Sequence, residues 1–192
     1  MKKLLAIILF ATSSIAYGDD FSYMETNTFA SSENYTFGFR EYANKDVSHR
    51  ILRYDFTDSP YRVEYRYVQK GELHEHWYRL QRKWFKVNGF WYNHRFEHRG
   101  RESKSNVFRY RPQFGYKSNA EFLGGVPFIT FEPQWNYNYD SHDKGYSHLQ
   151  TFTGIEYKVN NKFKVVPYIE VDFDKAFQKE VAFFIMDFKW KM

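Results

Sequence analysis

The stretch Tyr61–Tyr67, YRVEYRY, places three tyrosines and a valine at alternate positions and fills the gaps with Arg62, Glu64 and Arg66. Successive side chains of a β-strand point to opposite faces, so the segment predicts a strand with one ring-rich face and one charged face. A strand standing between lipid and an aqueous lumen has this pattern.

The alternation recurs along the chain. Leu52, Tyr54 and Phe56 alternate with Arg53 and Asp55, and Phe90, Tyr92 and Phe96 alternate with Trp91, Asn93, Arg95 and Glu97. Phe108, Tyr110, Phe114 and Tyr116 face away from Arg109, Arg111 and Gln113; Ile129, Phe131, Trp135, Tyr137 and Tyr139 face away from Thr130, Glu132, Gln134, Asn136 and Asn138. Near the end, Ile169, Val171 and Phe173 oppose Glu170, Asp172 and Asp174. One or two such strands fit a soluble sandwich. This many, with polar inner faces, predict an all-β fold: a transmembrane antiparallel up-and-down β-barrel.

Counting back from the C-terminus yields ten strands, the first near Asn34–Tyr42, with a weaker candidate at Phe21–Phe29. Ten is the expected number, since an even count leaves both chain ends on the periplasmic side, and twelve stays open. Short connections are read at Thr57–Pro60, Gln81–Lys83 and Asn160–Lys162, and longer polar ones at Ala43–Ser48, Gly100–Ser105 and Asp140–Tyr146. Lys117–Gly125 breaks the trend, being long where parity asks for a short periplasmic turn.

Composition agrees. Phe, Tyr and Trp number 21, 17 and 5 and make up 22% of the 192 residues. Aromatic side chains of this kind gather where a protein surface crosses from lipid to water. Met1, Lys2 and Lys3, the apolar run Leu4–Ala11 and the small residues before Tyr17 and Gly18 have the layout of a secretory signal peptide. Cleavage is expected after Gly18, with Ala16 the close alternative, which leaves 19–192 as a single outer-membrane barrel domain. Two lysines and no acid leave with the leader, so the net charge falls from +5 to +3, too small an excess to point to nucleic acid. There is no cysteine, so a lipid-modified cysteine, a disulfide and a thiolate nucleophile are all excluded. No run beyond the leader is long and apolar enough for a helical span.

The last strand alternates Phe184, Met186, Phe188, Trp190 and Met192 to the final residue. It resembles the C-terminal signal read by the barrel-assembly machinery, which is thus an expected partner alongside outer-membrane lipid. PYIEVDF at Pro167–Phe173, with FRYRP at Phe108–Pro112 and the general layout, resembles the oligogalacturonate-specific porins, a family of outer-membrane channels for acidic oligosaccharides. The resemblance implies a twelve-stranded pore and acidic oligosaccharides as the solute.

Alternation places Arg40, Arg53, Arg62, Arg66, Arg79, Arg95, Arg99, Arg109 and Arg111 on the inner wall. Arginine stays charged and forks onto carboxylates, so such a track favours passive diffusion of small anionic solutes through a monomeric channel that needs no cofactor or metal. Glu64, Glu97, Glu132, Glu170, Asp172 and Asp174 also point inward, and a narrow barrel can fill itself with Arg–carboxylate pairs instead. Trp77, Trp91 and Tyr168 are inward as well, either to stack on sugar rings or to pack the interior.

The histidine pairs His74/His76 and His94/His98 lack an obvious third metal ligand, and the latter pair shares a face with Phe90 and Phe96. Asp140, Ser141, His142 and Asp143 offer acid, nucleophile and base types in one loop, although Ser, Asp and His in loops are ordinary turn chemistry. An enzyme is therefore not expected. A closed barrel whose loops bind a partner remains the alternative to the channel.

Overall fold

A computed structural model describes residues 23–43, 46–102 and 104–192; the leader read at 1–18 lies outside them. Among the described residues every regular element is a strand: β1 Tyr23–Ser31, β2 Tyr35–Tyr42, β3 Val47–Asp55, β4 Tyr61–Lys70, β5 Leu73–Val87, β6 Phe90–Arg101, β7 Val107–Tyr110, β8 Gln113–Lys117, β9 Val126–Asn138, β10 Lys144–Lys158, β11 Phe163–Phe173 and β12 Lys179–Lys191. Each strand pairs with its sequence neighbours except β7 and β8, which both lie between β6 and β9; β9 pairs with β10 and β12 pairs with β1, so the sheet closes on itself. The chain is a β-barrel.

β7 and β8 are one stave interrupted. Both pair with β6 on one side and β9 on the other in a single continuous register. Arg111 still exchanges both backbone hydrogen bonds with Arg95, and the break falls at Pro112, which has no N–H for the ladder. The twelve segments thus make eleven staves.

The ten staves from β2 to β12 are those the alternation predicts. The eleventh is β1, at the weaker candidate, and it changes how the barrel closes. Staves that alternate up and down meet antiparallel around a ring only when their number is even. With eleven, one neighbouring pair must be parallel, and that pair is β1 with β12, aligned Thr26 with Met186 and Thr28 with Phe188. The up-and-down antiparallel order holds everywhere else, and the first and last staves run the same way.

Two connections differ from the expected ones. Gln81–Lys83 is not a turn but part of the 15-residue β5. The turn lies at Asn88–Gly89, where φ is 48° and 84°, the two positive values of a type I′ hairpin that Asn-Gly favours. At the opposite end Gly71 (φ 58°) turns β4 into β5 just as tightly, so tight turns occur at both rims.

The distribution of polarity is inverted relative to a soluble domain. Phe37, Leu52, Tyr78, Leu80, Phe90, Phe96, Phe114 and Phe131 are exposed on the outer face, whereas Glu25, Asn27, Glu64, Arg79, Glu97, Glu132 and Gln134 are buried inside. A soluble domain does not leave so continuous an apolar exterior to water. Outer rings also stack along the rows: Phe96 on Tyr110 at 5.1 Å, Tyr92 on Phe114 at 4.8 Å and Phe163 on Trp190 at 4.5 Å.

Three inward glycines make room for three inward rings directly across the ladder. Gly38 pairs with Phe29, Gly115 with Trp91 and Gly154 with Tyr168. A Cβ at Gly115 would lie 2.2 Å from the Trp91 ring, and one at Gly154 would lie 2.4 Å from Tyr168 Cβ and 2.5 Å from the Pro167 carbonyl. The bulk of the lumen is therefore set by alternation of large and absent side chains on neighbouring staves.

Candidate functional site

The inward rows enclose a cavity of about 620 Å³. Eight of the nine arginines read as inward line it: Arg40 from β2, Arg53 from β3, Arg66 from β4, Arg79 from β5, Arg95 and Arg99 from β6, Arg109 from β7 and Arg111 from the Pro112 break. The ninth, Arg62, lies on the same face of β4 but outside the cavity. It pairs with Asp55 at 2.8 Å beside the β3–β4 turn, where Lys83 reaches the same carboxylate at 2.9 Å.

Three carboxylates brace most of this wall. Glu64 accepts from Arg66 (2.5 Å), Arg79 (2.8 Å) and Arg53 (2.6 Å). Glu97, fully buried, accepts from Arg79 and Arg99, and Arg109 stands 3.9 Å away. Glu132 accepts from Arg95 at 3.1 Å and from Gln113, and is ion-paired with Arg111. Seven arginines thus share three acids, and the sharing is incomplete: the buried Nε atoms of Arg109 and Arg111 have no hydrogen-bond partner. Arg99 compensates in part by lying 3.4 Å over the Trp77 ring.

The opposite wall carries the surplus acid. Glu25, Asn27 and Asp187 form one network with Arg40 and Lys189, in which Asn27 donates to both acids at 2.8 Å. Glu170 and Asp172 are held by the Gln150 amide at 2.8 and 3.0 Å, and neither has a cation within ion-pair distance among the described residues. Gln150 joins the two walls, because its carbonyl accepts from Arg111 while its amide donates to the acid pair.

The sequence pattern predicts polar inner faces, and on β9–β12 the inner face is instead partly apolar. Phe128, Phe152, Val166, Tyr168 and Phe183 line the cavity from β9–β12, and Val166, Tyr168 and Ile185 form a buried cluster against the three phenylalanines. Val165–Ile169 is apolar or aromatic without a gap, so period-two reading places Ile169 outward and Tyr168 inward and misses the inward Val166. Trp77, Trp91 and Tyr168 do face the cavity.

The remaining groups stay apart from it. His74 and His76 bond Tyr67 and Tyr65 on the outer face at 2.6 and 2.8 Å, and His94 bonds Tyr110 at 2.7 Å. Among the described residues no group of three or more potential ligands is arranged to hold a metal ion. In the β9–β10 connection Ser141 Oγ accepts from the Asp143 backbone and His142 Nδ1 contacts Tyr137 OH; these are turn and surface contacts.

The lumen can therefore hold a carboxylate against guanidinium groups on one side and apolar surface on the other. Comparison of the chain with protein-family models, with curated proteins and with solved structures finds no match in any of the three, so its function is read from this geometry.

Proposed function

We propose that the chain is an outer-membrane channel through which small anionic solutes diffuse along an arginine-lined lumen. The observation that carries this reading is the guanidinium wall: eight arginines face one cavity, and two of them retain unpartnered N–H groups. Guanidinium groups fixed in a narrow space lower the electrostatic barrier for an anion and raise it for a cation. The apolar exterior and the leader read at 1–18 support export and insertion in the outer membrane, and the resemblance to oligogalacturonate porins makes acidic oligosaccharides the first solutes to try.

The bracing carboxylates favour a second reading. Glu64, Glu97 and Glu132 hold seven arginines in place, as they would in a barrel closed to solutes that docks a partner through its loops. Single-channel recording in planar bilayers separates the two. The channel reading expects anion-selective steps that an added carboxylated solute blocks; a silent membrane containing folded protein sinks it and leaves the closed barrel.

A further inference from the structure

The interior of a water-filled outer-membrane barrel is polar as a rule, and apolar surface facing water is unfavourable, so phenylalanine on the inner wall calls for an apolar partner. Here Phe128 and Phe152 face the cavity and are only partly buried. They pack against the cluster of Val166, Tyr168 and Ile185, of which Val166 and Tyr168 also reach the cavity. This apolar wall directly adjoins the least satisfied part of the guanidinium wall. Phe152 is the next inward residue after Gln150 on β10, roughly 7 Å along the strand, and Gln150 is the group that Arg111 bonds. Arg111 is 6% exposed and its Nε lacks a partner.

From this juxtaposition we infer that the lumen binds amphipathic monoanions: a single carboxylate on Arg111 and Arg109, with an apolar ring or short chain laid against Phe152 and Phe128. The inference rests on the reading that small anions enter the lumen, and within that class it sets amphipathic monoanions in place of acidic oligosaccharides.

The limit to one charge comes from Glu170 and Asp172. Glu170 stands across the ladder from Phe152, and Asp172 across from Gln150. A ligand body on the phenylalanines therefore passes Glu170 where it crosses Phe152, with Asp172 nearer its carboxylate end. A second carboxylate there meets like charge, so polyanions such as oligogalacturonates are disfavoured, whereas an apolar or amine-bearing end is tolerated. The apolar body gains from displacing water, and the carboxylate gains a charge-assisted fork.

The test is calorimetric titration of the full chain folded into lipid nanodiscs, with empty nanodiscs titrated to subtract partitioning. The probes are 3-phenylpropionate, its neutral amide, galacturonate and digalacturonate. The expected result is that 3-phenylpropionate binds at least tenfold more tightly than each of the other three. Phe152→Ala and Arg111→Gln each weaken that binding at least fivefold, and Arg62→Gln, outside the cavity, leaves it unchanged. Galacturonate or the amide binding as well as 3-phenylpropionate overturns the inference, and so does an undiminished affinity in Phe152→Ala. The wild-type ligand series decides the matter even if a variant fails to fold. Bilayer recording separates the two failures: conduction without ligand preference refutes only the ligand class, and ligand preference without conduction refutes only the channel.

Discussion

Glu97 shows how tightly the lumen couples its charges. Its carboxylate is fully buried and faces Arg79, Arg99 and Arg109. Arginine cannot shed its proton to relieve a lost partner. Replacing Glu97 by Gln therefore leaves buried positive charges facing one another, and removal of one partner from such a pair costs about 3 to 5 kcal/mol. Lys83 offers the contrast. Its pair with Asp55 sits beside a turn with the lysine 47% exposed, and Lys83→Ala is expected to cost about 0 to 1 kcal/mol. Urea unfolding of both variants in lipid vesicles measures the difference, and similar losses for the two would refute the bracing role of Glu97. Sequence alternation places Arg79, Glu97 and Arg99 on one face. It is silent on how three arginines share one acid, because that depends on cross-strand register: Arg79 pairs with Glu97 only through the β5–β6 alignment.

At the scale of the strand, legibility follows the strength of alternation. β4, with YRVEYRY, is read residue by residue. The Asn-Gly hairpin at 88–89 carries a turn signal as strong as any in the chain and still lost to the polar Gln81–Lys83, because the Trp84-Phe85 pair breaks period two where β5 shifts register. β1 is weak for a different reason: outward Thr26 and Thr28 are neither rings nor charges. Its parallel pairing with β12 has no local signal at all, since parity emerges only when every stave is counted. The pairing is open to a direct test in a chain without native cysteines. Thr28 and Phe188 face each other across the β1–β12 ladder, and neighbouring strands bring such Cα atoms within disulfide reach. Thr28→Cys combined with Phe188→Cys should cross-link under mild oxidation and migrate as a compact species on non-reducing gels, while Thr28→Cys with Val181→Cys should not. The opposite result would mean that β1 does not run alongside β12 in this register.

Across the whole molecule the lumen works as two facing walls of unequal charge. Its cavity is lined by eight arginines and Lys189 against Glu25, Glu132, Glu170, Asp172 and Asp187. Glu64 and Glu97, bonded to the arginines from behind, bring the carboxylates to seven, so the cations exceed them by two. Because the excess is small, selectivity is expected to be modest and to follow single substitutions in either direction. Arg109→Gln with Arg111→Gln removes the two least satisfied guanidinium groups and cancels the excess; Glu170→Gln with Asp172→Asn doubles it without breaking an ion pair among the described residues. Reversal potentials in a potassium chloride gradient should accordingly move toward zero for the arginine pair and further toward the chloride potential for the acid pair. Both shifts should shrink at high salt, where the screening length falls to about 3 Å at 1 M. A channel whose reversal potential is indifferent to both double substitutions conducts by some path other than this lumen, and the guanidinium wall would then serve only to hold the barrel together.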